Sequence, residues 1–180
     1  SEVNEIHSMT MEQFAYPYMK DFFGEENVAK AKYAHLSGAL STIPYLVSVD
    51  EFQHRVYAKP EMTAKERRAV WHEIEQTYMP WRDYDGVPFL EEGGFWMQKQ
   101  HIFLYPFYYV DYALAQVCAF ALYGRMKQDH KAAWESYLAL CRAGGSKGYF
   151  DLLALAGLDV PFAEGSVEKA VRHVIDELNA

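Results

Sequence analysis

The sequence predicts an all-α protein. Apolar residues recur at helical spacing along most of its length, alternating strand patterns are almost absent, and helix-starting and helix-stopping residues bracket the periodic segments. Residues 3–23 read as one helix. Residues 25–59 read as a long one, with Leu36, Leu40, Ile43 and Val47 spaced by four, three and four, and with a kink expected at Pro44, whose ring clashes with the carbonyl four residues earlier. Thr63 followed by Glu66 is a capping-box pair, behind which Val70, Ile74 and Tyr78 form an apolar stripe that should stop near Met79-Pro80. Residues 80–94 carry Pro80, Gly86, Pro88, Gly93 and Gly94 and read as the one long loop. Helices resume at about 106–125, with Pro106 in the first turn, and at 128–142. Gly144-Gly145-Ser146-Lys147-Gly148 terminates a helix and misses the P-loop spacing. A short helix follows from Tyr149 to Ala156. Ser166 is the expected cap of a last helix whose stripe is Val167, Val171, Val174 and Leu178. No internal repeat interrupts this series, so residues 1–180 read as a single all-α segment.

Length and composition narrow the function classes. A chain of 180 residues buries roughly 70% of its unfolded surface as a single domain. Lys and Arg number 17 against 25 Asp and Glu, a net charge of −8, which excludes an electrostatic footprint for nucleic acid. Cys118 and Cys141 fall in apolar, helical surroundings and are expected as buried thiols of a cytoplasmic protein. No secretion signal is visible, and a helical pattern without an initiator Met leads to the expectation that the chain begins inside a larger protein. Segment 102–123 is apolar, but Asp111 and Gln116 in its middle and Pro106 near its start argue against a membrane span. The 14 Tyr, 11 Phe and 4 Trp are an aromatic surplus that asks for a reason.

The segment His101 to Gln116 holds the densest chemistry. At 100° per residue, Phe107, Val110, Leu114, Val117 and Ala121 share one face, while Tyr109, Tyr112 and Gln116 share the other, with Tyr105 on the same line. A helix apolar on one side and phenolic on the other is expected to be buried on both, and buried hydroxyls need partners. Two readings fit this spacing. The tyrosines and His101 are core groups bonded to backbone carbonyls, or they line an internal cleft.

Metal-ligand spacings are incomplete. His72-Glu73-Ile74-Glu75-Gln76 has Gln76 where the H-E-x-x-H of a zincin needs its second histidine. Glu51-Phe52-Gln53-His54 has the E-x-x-H spacing of di-iron bundles, but it occurs once. Glu5, Ser8, Met9, Glu12 and Tyr16 share a face of the first helix, from which His7 points away. That face is either a solvated acidic one, or it presents Glu5 as a metal ligand with Glu12 as a nearby support.

Several stretches together carry a resemblance. Asn4-Glu5-Ile6-His7-Ser8-Met9-Thr10-Met11-Glu12 resembles the segment bearing the third zinc ligand in oligoendopeptidase F and thimet-oligopeptidase-like metallopeptidases. Val49-Asp50-Glu51-Phe52-Gln53-His54-Arg55-Val56-Tyr57, His101-Ile102-Phe103 and Pro106-Phe107-Tyr108-Tyr109-Val110-Asp111-Tyr112-Ala113-Leu114-Ala115-Gln116 resemble the oligoendopeptidase F branch in particular. So do Ala143-Gly144-Gly145-Ser146, Leu152-Leu153 and Ala156-Gly157-Leu158-Asp159. The resemblance runs in order over essentially the whole chain and implies the multi-helix C-terminal part of a zincin-type catalytic domain.

What the resemblance implies is specific. Glu5 matches the glutamate that joins two histidines of an upstream H-E-x-x-H helix as third zinc ligand. His101 matches the histidine, and Tyr109 and Tyr112 the tyrosines, that contact substrate and transition state. Tyr105 matches with a spacing one residue shorter than in thimet-type enzymes. The implied activity is hydrolysis of peptide bonds in short oligopeptides by zinc-activated water. The H-E-x-x-H helix is absent from these residues, so the isolated chain is expected to be inactive, and the N-terminal remainder of the same enzyme is its implied partner. Two other classes remain open: a non-catalytic helical binding or scaffold module that uses the aromatic cleft, and a di-metal bundle centred on Glu51 and His54.

Overall fold

The structure is a computed structural model and describes residues 2–180, in which every regular element is helical. The elements are α1 (Asn4–Phe14), α2 (Met19–Phe23), α3 (Val28–Ala58), α4 (Ala64–Tyr78), α5 (Pro88–Glu91), α6 (Gln100–Leu104), α7 (Asp111–Gln128), α8 (His130–Ala143), α9 (Tyr149–Leu155) and α10 (Ser166–Leu178). None of these helices is long and apolar enough to cross a membrane. The chain divides into two compact units, one of residues up to Leu40 with Leu114–Ala180, the other Ser41–Ala113.

In the first unit, Ile6 of α1 packs with Ala115, Cys118 and Leu122 of α7, Leu140 of α8, and Leu152 and Leu153 of α9. A second cluster joins Phe14 to Ala133 and Tyr137. The single helix expected over 3–23 is broken: α1 ends at Phe14, and Pro17, which has no amide hydrogen to donate, sits in a 3₁₀ turn at Tyr16–Tyr18. Gly24, at φ 77°, then ends α2. Asp129 caps α8 by accepting from the Ala132 amide at 3.0 Å. Arg125 of α7 donates to the Ala156 carbonyl at 2.8 Å and to that of Gly157, which satisfies carbonyls at the end of α9.

Three expectations for this unit are corrected. The cap of α10 is Gly165 at φ 76°, and Ser166 is instead its buried first residue. The buried face of α10 runs through Ser166, Ala170 and Val174, which turns Val167 outward, 41% exposed. Cys141 is exposed, while Cys118 is buried as expected.

In the second unit the core is aromatic. Phe52 lies between Trp71 and Trp96, with ring centroids 5.5 and 4.7 Å away, and Tyr45, Val49, Ile74, Met79 and Ile102 complete the cluster. The helix α3 continues through Pro44 as one element, and Ser48 Oγ donates to the Pro44 carbonyl at 2.8 Å. The capping box of α4 forms as read: Glu66 N donates to Thr63 Oγ1 at 3.2 Å, and Thr63 N to Glu66 Oε2 at 2.7 Å. The segment expected as one loop over 80–94 contains the short α5, started by Pro88.

The helix expected from 106 begins only at Asp111. Tyr105, preceding Pro106, sits at φ −137°, ψ 67°, outside the helical region that a following proline disfavours. Phe107 then takes φ 62°, which is left-handed backbone. For a bulky residue this costs about 1–3 kcal/mol unless its surroundings hold it there. The result is a tight turn between α6 and α7, so Tyr105 and Tyr109 are loop residues and only Tyr112 rides on the helix.

Candidate active site

The turn between α6 and α7 brings the predicted aromatic residues together. The His101 imidazole, near the start of α6, has the Tyr109 ring 4.8 Å away at 32°, and the Tyr112 ring at 6.1 Å edge-on. Tyr105 lies at 6.2 Å, and Tyr108 is stacked nearly parallel at 6.4 Å. Tyr109 and Tyr112 contact each other at 5.5 Å, as do Tyr108 and Tyr112. Four phenols thus surround one imidazole. Tyr105 is the outermost, 59% exposed, while His101, Tyr108, Tyr109 and Tyr112 are half-buried.

The cluster has an unmet polar requirement. His101 Nδ1 is buried without a hydrogen-bond partner among the described residues. Such an atom forfeits about 1–3 kcal/mol unless something outside the chain supplies the bond. A core histidine bonded to a backbone carbonyl, the packing reading of the spacing, does not describe this nitrogen.

Further residues shape the cluster and carry little signal in the sequence. Lys99 Nζ lies 4.8 Å from the Tyr109 ring centroid and 5.5 Å from that of Tyr45, over the electron-rich faces of both phenols. Tyr45 contacts Tyr109 at 6.0 Å edge-on. Burial, followed by the neighbouring Tyr109, holds the Tyr45 hydroxyl above its ordinary range, so it stays protonated. Behind them, the buried Glu75 carboxylate accepts from Arg82 at 3.2 Å and from the Tyr84 hydroxyl. The Arg82 guanidinium lies 4.4 Å from the Phe95 ring. The Lys99 position, two before His101, was the nearest thing to a cue; Tyr45 had none, because its contact depends on a loop 64 positions away folding back.

Glu5 belongs to the first unit, on α1. Its Oε2 accepts from Ser8 Oγ at 2.8 Å, so the serine one turn on holds the carboxylate. Glu12 Oε2 pairs with His35 Nε2 at 2.9 Å, and His35 Nδ1 meets the Tyr16 hydroxyl at 2.6 Å. Glu51 and His54 have other partners than a metal. Glu51 pairs with Arg55 at 2.6 Å and bonds Tyr78, while His54 faces Asp50 at 3.5 Å. Among the described residues, no group of three His, Cys, Asp or Glu side chains is placed to hold a metal ion.

No protein-family model matches the chain. Curated relatives include an oligoendopeptidase F homolog of Borreliella burgdorferi, 29% identical over 164 residues that make up 87% of this chain and 27% of the relative. The oligopeptidase PepF of Bacillus subtilis is 26% identical over 183 residues, 98% of this chain and 26% of the relative. The chain therefore spans about a quarter of the length of these proteins. Among solved structures, a protein assigned as oligoendopeptidase F superposes with a TM-score of 0.95 at 50% identity, over 99% of this chain and 32% of the other. PZ peptidase A with an inhibitor gives 0.94 at 49% identity over 99% and 32%. A protein assigned as oligoendopeptidase F from Bacillus anthracis gives 0.81 at 42% over 99% and 28%. The proteins that the sequence motifs resemble are thus the ones this chain matches, and it matches about a quarter to a third of the length of each.

Proposed function

We propose that this chain is the C-terminal part of the catalytic domain of a zinc metalloendopeptidase that cleaves short oligopeptides, and that the tyrosines around His101 face its reacting carbonyl. The observation that carries the reading is His101 with an unpartnered buried nitrogen inside a ring of four phenols. Such a group can gain its missing hydrogen bond from a substrate oxygen.

The chain's own residues fit one share of a zinc site. A carboxylate is an ordinary zinc donor, and Glu5, oriented by Ser8, supplies one. With no three-ligand group among the described residues, two further ligands must come from elsewhere. The resemblance assigns them to the histidines of an upstream H-E-x-x-H helix, with its glutamate as general base. When bound, zinc lowers the pKa of a water molecule and polarises the scissile carbonyl. His101, Tyr109 and Tyr112 donate hydrogen bonds to the oxygen on which negative charge develops, each contributing on the order of 3 kcal/mol when well aligned. Tyr105, at the exposed rim, contacts the peptide and helps to exclude water. Alone, the chain lacks two ligands and the base and is inactive. Its partners are short peptides and the remainder of the same protein. Two free cysteines support a cytoplasmic location.

The test is Tyr112→Phe in the full-length protein. The hydroxyl is removed and the ring packing kept, so kcat on a short peptide falls by about ten-fold or more while bound zinc is retained. An unchanged rate removes Tyr112 from the chemistry. A protein with no peptidase activity in any form points instead to a helical binding module.

A further inference from the structure

The turn that carries Tyr105, Tyr108 and Tyr109 is held from α3. Gln53 is 1% exposed, and its Oε1 accepts from the Phe107 amide at 3.2 Å, across 54 positions of sequence. That amide belongs to the residue in left-handed backbone. The Phe107 ring is clasped by the same helix, with His54 at 4.9 Å and Tyr57 at 5.0 Å. Gln53, His54 and Tyr57 thus meet Phe107 at its amide and on its ring. A turn that L side chains adopt rarely persists only where contacts over-determine it, and these contacts from α3 add to the bond of the Tyr108 amide to the Tyr105 carbonyl at 3.2 Å. The residues that follow Phe107 are Tyr108 and Tyr109, whose rings approach His101.

We infer that Gln53 is a positioning residue for the His101–tyrosine cluster: its amide oxygen, bonded to Phe107 N, locks the turn that sets Tyr108 and Tyr109 against His101. The inference rests on the peptidase reading for its catalytic consequence but not for its structural one. Gln53 touches none of the reacting groups. It acts by holding a backbone conformation that determines where two phenols point, and misplacement of such groups by an ångström costs rate rather than binding.

Two variants of the full-length protein test this. Gln53→Met keeps the unbranched shape and removes the acceptor, whereas Gln53→Glu keeps an oxygen for the Phe107 amide. Amide hydrogen exchange over residues 105–110 reads the lock directly, without reference to activity. For Gln53→Met, exchange there speeds by about ten-fold while α4 is unchanged, as expected for local rather than global opening. On a short peptide its kcat falls by about ten-fold with KM within about two-fold. Gln53→Glu keeps the acceptor but buries a carboxylate where Gln53 is 1% exposed, so it keeps more of the protection than Gln53→Met at a pH low enough to protonate it. Unchanged exchange in Gln53→Met overturns the inference, as does exchange that speeds equally in α4. If exchange speeds and kcat holds while Tyr112→Phe lowers it, the positioning role is overturned and the peptidase reading stands. If the full-length protein shows no peptidase activity while exchange speeds, the peptidase reading fails and the lock is upheld.

Discussion

The Tyr123 hydroxyl on α7 reaches the Glu177 carboxylate on α10, 2.8 Å from Oε2 and 3.1 Å from Oε1. Lys127 Nζ donates to the same carboxylate at 2.8 Å, and Lys32 of α3 pairs with it as well. Glu177 is therefore a junction of three helices in the first unit. Burial pushes its pKa up, but the hydrogen bonds from Lys127, Lys32 and Tyr123 outweigh burial and hold it at about 2.

A carboxyl group lowered in the folded state stabilises it at pH values above the unfolded pKa of about 4.3, where it is ionised in both states. That contribution is lost as pH falls from about 4.3 towards about 2, because the unfolded chain takes up the proton first. Glu177→Gln is thus less stable than the parent at pH 7, and the gap narrows on acidification through this window. Denaturant titrations at several pH values measure it. A gap that stays constant down to pH 2 would show that Glu177 is not a source of the acid sensitivity.

Gly93 sits at φ 85°, and a β-carbon there would run into the Arg68 carbonyl oxygen. That neighbour is helix backbone and has no rotamer by which to withdraw. Gly93→Ala therefore combines left-handed strain with a backbone clash and destabilises the second unit by at least about 2 kcal/mol. Chemical denaturation followed by tryptophan fluorescence reports it directly, since Trp71 and Trp96 both lie in that unit.

Phe52 is 2% exposed between two indoles. Phe52→Ala leaves a cavity that rigid neighbours fill poorly, and about 3–5 kcal/mol of stability is lost. Phe52→Leu retains most of the volume and loses less. Equal losses for the two would mean that packing around this ring is not what the site contributes.

Burial pushes the Cys118 thiol up to about 12, with a smaller opposing effect from its hydrogen bond with Tyr149. Cys141 is exposed, 3.7 Å from His7 Nδ1. Alkylation of the folded chain at pH 8 therefore modifies Cys141 and spares Cys118, because the thiolate is the nucleophile and must be reachable. Peptide mass mapping reads the outcome, and both cysteines react once the chain is unfolded in denaturant.

The parts of the fold legible in the sequence are those governed by neighbours a few positions apart. Thr63 and Glu66 form their capping box because both partners lie within one turn. Ile74 is fully buried on the stripe read for α4, and Leu36 on that of α3, since helical periodicity needs no distant information. His101, Tyr105, Tyr109 and Tyr112 were recognisable as a set because sixteen residues of sequence hold all of the motif's chemistry. The misreadings also have local origins. Pro17 divides the first predicted helix, and Pro106 places Tyr105 and Phe107 off the helical path instead of starting a helix.

By itself, then, the sequence determined an all-helical chain, the residues worth suspecting and the peptidases it resembles, because composition, 3.6-residue periodicity and short motifs are local properties. The tertiary structure decided how the phenols meet the imidazole. They converge through a left-handed turn at Phe107 rather than along a helix face, and the Phe107 amide of that turn is bonded by Gln53, 54 positions earlier. It also decided that Glu12 serves His35 and that Glu177 joins three helices. Such pairings rest on which distant side chains are buried together, and burial between remote segments is a property of the packed chain that no window of sequence contains.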